Sequence, residues 1–100
     1  MSSLYAAAER GDIEAVQGCL DRGVDVNSRG DGGRTPLMAA AENKHPDVTS
    51  LLIQHGCDVH AVGGLYKRTA LHNSAVSGDV DSALALIQAG AHVNVANGME

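Results

Sequence analysis

One hundred residues with a formal net charge of −5 amount to one domain at most, and the charge disfavours nucleic acid or an anionic membrane as a partner. The chain is 44% apolar but has no Phe or Trp and only Tyr5 and Tyr66, which excludes a core built on large aromatics and leaves Leu, Val, Ile and Ala to fill it. No apolar run reaches the roughly 20 residues of a membrane-spanning helix, and Met1-Ser2-Ser3 leads into the first element without a basic or apolar leader, so a soluble, intracellular protein, cytoplasmic or nuclear, is expected.

Ser2 to Arg10 reads as a helix with Leu4, Ala7 and Ala8 on one face, ended by Gly11, a residue that tolerates the left-handed conformation. Asp12 is placed to cap a second helix, Ile13 to Arg22, whose Ile13, Val16, Cys19 and Leu20 form a stripe at helical spacing. Glu14, Gln17 and Asp21 fall on its other side. The run from Val24 to Arg34 is a loop in which Gly30, Asp31, Gly32 and Gly33 supply the turn. Thr35 caps the next helix and Pro36 stands in its first turn, where a missing N–H is harmless. Pro46 opens a fourth helix carrying Val48, Leu51, Leu52 and Ile53 and ending at Gly56. A second loop, Cys57 to Arg68, is longer by one residue, an insertion placed at Gly63-Gly64. Thr69 to Ser77 and the Asp79-capped run from Val80 to Ala89 give the last two helices. Leu84 adds an apolar group to the outer face of the last one.

The layout repeats. Gly23, Gly56 and Gly90 lie 33 and 34 residues apart, and so do Gly11, Lys44 and Gly78. Thr35-Pro36-Leu37 recurs as Thr69-Ala70-Leu71-His72, and Gly23-Val24-Asp25-Val26-Asn27 recurs as Gly56-Cys57-Asp58-Val59-His60 and Gly90-Ala91-His92-Val93-Asn94. A period of 33 with a Thr-Pro-Leu-His signature resembles the ankyrin-repeat family. The resemblance implies an all-α solenoid of three stacked helix-turn-helix pairs joined by β-hairpin-like loops. It predicts a single domain over 1–100, with repeats at 1–29, 30–62 and 63–96 and the start of a fourth hairpin at 97–100. No polar capping repeat follows the apolar face of the third, so further repeats or a partner are expected to cover it, a truncated array being the favoured explanation.

Visible chemistry is sparse. The Gly30–Gly33 cluster lacks the Lys-Ser/Thr of a phosphate loop. His55, Cys57 and His60 offer three zinc ligands within six residues, but a structural site needs four and no second cluster exists. Cys19 and Cys57 sit at non-equivalent repeat positions and read as reduced thiols. Ser, His and Asp occur without a nucleophile elbow. His72 occupies a motif position whose imidazole, by resemblance, bridges helix and hairpin backbone. No catalysis, cofactor, metal or small-molecule substrate is expected.

Charge placement is more telling. Asp12, Glu14, Asp47, Asp79 and Asp81 lie at helix starts, where they complement the helix dipole. Arg29, Arg34, Lys67 and Arg68, four of seven basic residues, fall instead on the two loops. The family resemblance implies a binding surface of hairpin tips and the concave face of the first helices. By position it selects Arg29, Asp31 and Arg34 on the first loop and Leu65, Tyr66, Lys67 and Arg68 on the second. On the helices it selects Ala39, Glu42, Asn43, Asn73 and Val76. Tyr66 is the expected anchor, because tyrosine beside arginine is the composition of binding hot spots. The expected partner is another protein with an acidic contact surface.

The string Arg34-Thr35-Pro36-Leu37-Met38, with Glu42-Asn43 and His45, also resembles the ankyrin block of the euchromatic histone lysine methyltransferases, where an aromatic cage with an acidic residue reads methyl-lysine. Glu42 matches the acidic member, while the aromatic positions hold Arg34, Ala39, Asn43 and Asn73. The cage is empty, and an arginine there repels a cation. The main expectation is therefore a non-catalytic protein-interaction module. One alternative is the targeting segment of a larger enzyme, such as a chromatin methyltransferase, a kinase or a ubiquitin-ligase adaptor. Another is a substrate of an asparaginyl hydroxylase at Asn27 or Asn94.

Overall fold

The computed structural model describes residues 3–91. Six α-helices follow in order: α1 (Leu4–Arg10), α2 (Ile13–Asp21), α3 (Pro36–Glu42), α4 (Pro46–Gln54), α5 (Ala70–Ser77) and α6 (Val80–Gln88). Each start has a local cause. Side-chain oxygens of Ser3, Asp12, Thr35, Thr69 and Asp79 accept the N–H three residues on, at 3.0–3.3 Å. Because the Ser3 hydroxyl caps, α1 begins at Leu4, two residues later than the sequence pattern indicates. The α4 start is different: His45 makes no side-chain cap, and Pro46 with its preset φ begins the helix instead.

Two rows result. α1, α3 and α5 stack side by side, α2, α4 and α6 form a second row behind them, and each helix pair packs on its neighbour. Ala7, Ala8, Ala39, Ala40, Ala41 and Ala70 are buried along the first row, and small residues there let the backbones approach closely. Leu4, Val16, Leu37, Met38, Val48, Leu52 and Leu86 fill the space between rows as one continuous core.

Polar pins cross the helix-pair boundaries. Ser82 Oγ donates to Thr49 Oγ1 at 2.9 Å in the core, and Ser77 Oγ donates to the Ala41 carbonyl at 2.9 Å. His45 packs over Gly11, and its Nε2 lies 3.1 Å from the Glu9 carbonyl. The two loops repeat one device: Asp25 and Asp58 each accept the N–H two residues on, at 2.9 Å, an Asx turn. Asn27 Oδ1 then accepts the Asp58 N–H at 2.7 Å, joining the loops. Among the described residues the loops form no strands, only one antiparallel bridge between Gly63 and Arg68. The sequence motif at His92–Asn94 and the expected fourth hairpin at 97–100 lie outside the described residues.

Lys44 holds φ at 61°, where its repeat equivalents Gly11 and Gly78 have no Cβ to strain. Lys44→Gly is expected to raise stability by about 1 kcal/mol, read as a higher denaturant midpoint at unchanged slope. A lowered midpoint would mean that the Lys44 stem, lying over Gly78, contributes more by packing than its backbone costs.

Candidate functional site

The second loop turns sharply and throws two apolar side chains outward. Gly63 and Arg68 exchange backbone hydrogen bonds at 3.1 Å, and the Lys67 N–H closes on the Gly64 carbonyl at 3.2 Å. Leu65 and Tyr66, at the tip, are 84% and 70% exposed. Glycine is required at the base: a Cβ on Gly63 would fall 2.5 Å from the Gly33 carbonyl oxygen of the first loop. The loops are further joined by the Gly64 N–H donating to the Gly32 carbonyl at 3.0 Å.

Beneath the tip lies a groove of about 260 Å³ lined by Arg34, Glu42, Leu65, Tyr66, Arg68 and Asn73 over the Gly63-Gly64 backbone. Arg34 spans its floor. Nη1 donates to the Tyr5 hydroxyl at 3.2 Å and Nη2 to the Glu42 carboxylate. Tyr5 is buried, and desolvation raises its pKa above 10.0, with Glu9 and Asp31 adding to the rise and Arg34 opposing it. It therefore stays a neutral hydroxyl and can accept from Arg34. Across the groove the Arg68 guanidinium sits 4.9 Å from the centroid of the Tyr66 ring, a cation–π pair.

Six of the residues selected from sequence thus converge: Arg34, Glu42, Leu65, Tyr66, Arg68 and Asn73. Four are exposed elsewhere: Asp31 in the 3₁₀ turn of the first loop, Asn43 at the end of α3, Lys67 at the second tip and Val76 in the last turn of α5. Asn43 Nδ2 is occupied by the Ala39 carbonyl at 3.0 Å. Ala39 itself is corrected. It is fully buried between helices, because the close α-helix stacking consumes that face of α3, and no partner can touch it.

The row of free cations is also corrected in part. Arg29 donates to the Gly33 carbonyl and, at 2.6 Å, to the Val62 carbonyl, so it clamps one loop to the next. Arg34 is paired internally, which leaves Arg68 and Lys67 as the available loop cations. The same pairing fills the methyl-lysine position: the Glu42 carboxylate holds the chain's own guanidinium. His72 differs too, since its imidazole is exposed and its backbone N–H is the part engaged, by Thr69. Sequence reasoning missed Tyr5, whose role needs Arg34 from the next repeat to be visible. Asn27 is tied to Asp58, and Asn94 lies outside the described residues.

Among the described residues no three His, Cys, Asp or Glu side chains group closely enough to share a metal ion. Burial, with the Asp58 carboxylate adding, pushes the half-buried Cys57 thiol up to about 11.

Two consequences are testable. The Cys57 pKa is raised above its ordinary 9.0, so the stabilisation from the neutral thiol is complete below 9.0 and lost as pH rises through about 11. Alkylation of Cys57 by iodoacetamide at about pH 8 should be far slower in the folded chain than in urea; equal rates would refute the burial. Arg29→Ala removes both loop contacts and should lower stability by about 1 kcal/mol, modest because the side chain is solvated. Hydrogen exchange at the Gly33 and Gly64 amides should rise with it.

The sequence signature described as "Ankyrin repeats (3 copies)" matches residues 4–97. The chain is 43% identical over 77 residues to the E3 ubiquitin-protein ligase XBAT33 of Arabidopsis thaliana, covering 77% of this chain and 15% of that protein. It is 33% identical over 94 residues to the bovine (Bos taurus) cyclin-dependent kinase 4 inhibitor B, covering 94% of this chain and 71% of the inhibitor. The ankyrin repeat domain of human ASB11 superimposes with a TM-score of 0.87 at 26% identity, over 95% of this chain and 42% of that one. The helix pairs, their stacking and their spacing accord with these likenesses, and the chain belongs to the ankyrin-repeat family, whose repeats are protein–protein interaction modules.

Proposed function

We propose that this chain grips a protein partner through its second loop tip and the adjoining concave helix face, without catalysis or cofactor. The carrying observation is the juxtaposition of two strongly exposed apolar side chains, Leu65 and Tyr66, with a polar groove immediately beneath them. An amphipathic ring backed by an arginine is a low-entropy anchor. Arg34 and Glu42 in the groove are fixed by their own contact, which favours holding a partner over reacting with it. The partner presents an acidic contact surface, because Lys67 and Arg68 are the loop cations without an anionic partner among the described residues. The chain's charge of −5 opposes nucleic acid and anionic membranes as ligands.

A second surface supports a place within a larger assembly. On α4, Ser50 and Ile53 border the cleft toward α6. Their equivalents 34 residues on, Leu84 and Ile87, face outward with Val80, and these three are 53%, 40% and 65% exposed. This is the side on which a further repeat or a partner would stack. The module then serves as the recognition segment of a longer protein; XBAT33, an E3 ubiquitin-protein ligase, is matched over 15% of its length.

The test is capture from cell lysate by the wild-type chain beside Tyr66→Ala/Arg68→Glu, with circular dichroism confirming that both fold. Arg34 is left intact, since its loss would strand Glu42 and the Tyr5 hydroxyl. Partners held by the wild type should bind the variant at least about tenfold more weakly. Partners retained equally by the loop variant but lost by Leu84→Asp would move the contact to the α6 face.

A further inference from the structure

The chemistry of the groove indicates what part of a partner enters it. Arg34 is spoken for: Tyr5 and Glu42 occupy its two terminal nitrogens. Glu42 is correspondingly neutralised. Arg68 differs. Its guanidinium is held over the Tyr66 ring at 4.9 Å, yet among the described residues its N–H groups have no acceptor. The Asn73 side-chain amide lines the same groove and likewise has no hydrogen-bond partner among the described residues.

We infer that the groove is a receptor for a carboxylate side chain of the partner, an Asp or Glu next to an apolar residue in an extended segment. Arg68 and Asn73 donate to the carboxylate, and Leu65 and Tyr66 cover the apolar neighbour. This rests on the module reading of the same surface.

Three features select that occupant. The groove holds two guanidiniums against one carboxylate, so a single added anion completes its charge in a chain that is otherwise acidic. The volume of about 260 Å³ suits one or two side chains and not a folded element. The charged donor is preorganised, Arg68 being held by its aromatic stack and by its backbone pairing with Gly63, so little entropy is lost on binding. A cationic side chain is disfavoured by Arg68, and Glu42 is already engaged by Arg34.

The experiment uses the full chain labelled with ¹⁵N and three probes at matched ionic strength: a blocked Ala-Leu-Glu-Ala peptide, the same peptide with Gln for Glu, and inorganic phosphate. The Glu peptide should move the Arg68 Nε–H, the Asn73 side-chain amide and the Gly64 amide saturably, with a Kd on the order of 1–10 mM. The Gln peptide should bind at least about fivefold more weakly. In Arg68→Gln the difference between the peptides should vanish, while Tyr66→Phe, which keeps the ring, should retain it; the amide spectrum reports folding of both. Equal shifts from both peptides, or none from either, overturn the carboxylate assignment. Phosphate reproducing the same shifts with equal affinity reduces the groove to a general anion site and also overturns it. The module reading fails separately: it falls only if a captured partner survives Tyr66→Ala/Arg68→Glu, whatever the peptides do.

Discussion

No helix pair in this chain can bury its apolar surface alone, and everything else follows from that constraint. α1 and α2 leave Ala7, Ala8, Val16 and Cys19 to be covered from one side, and only α3 and α4 can cover them. With Tyr5 the one aromatic buried among the described residues, the cover must come close. The alanines of α3 and α5 allow this, and dispersion across the short gap replaces the volume that Phe or Trp would contribute. A consequence is that α3 is buried nearly all round, which is why Ala39, on the face nominally open to a partner, has no exposure.

Close stacking also brings successive loops into register. Loops with no strands of their own are made rigid by their neighbours: Arg29 reaches the Val62 carbonyl, Asn27 holds Asp58, and Gly64 donates to Gly32. The tip carrying Leu65 and Tyr66 is therefore presented from a braced base. Preorganisation of this kind is where a repeat protein gains affinity, since the groups that meet a partner lose little freedom in doing so.

The groove beneath that tip has an internal polarity that a list of charges would not show. Four loop cations divide into two kinds. Arg29 and Arg34 hold the protein together, while Lys67 is exposed and Arg68 lines the groove against Tyr66. Tyr5, from the first repeat, decides this division by accepting from Arg34 and leaving Glu42 as the other partner. The recognition surface is thus a property of two boundaries between repeats and not of the second loop alone.

Much of this was legible in the sequence. The period of 33–34, the caps at Asp12, Thr35 and Asp79, the glycine stops and the outward position of Leu84 follow from local rules acting over one turn or one repeat. So does the exposure of Leu65 and Tyr66, because a glycine-opened turn has no core beneath its tip. Only the tertiary structure decided what the exposed-looking groups do. Ala39, Arg29 and Arg34 resemble surface residues by position, and each is consumed by a neighbouring repeat at 29 or more residues' separation where a bond is formed. Convergence of Glu42, Arg68 and Asn73 on one groove likewise depends on how far one helix pair is rotated and shifted against the next. That displacement is set by side-chain packing across the boundary, which no single stretch of the chain encodes.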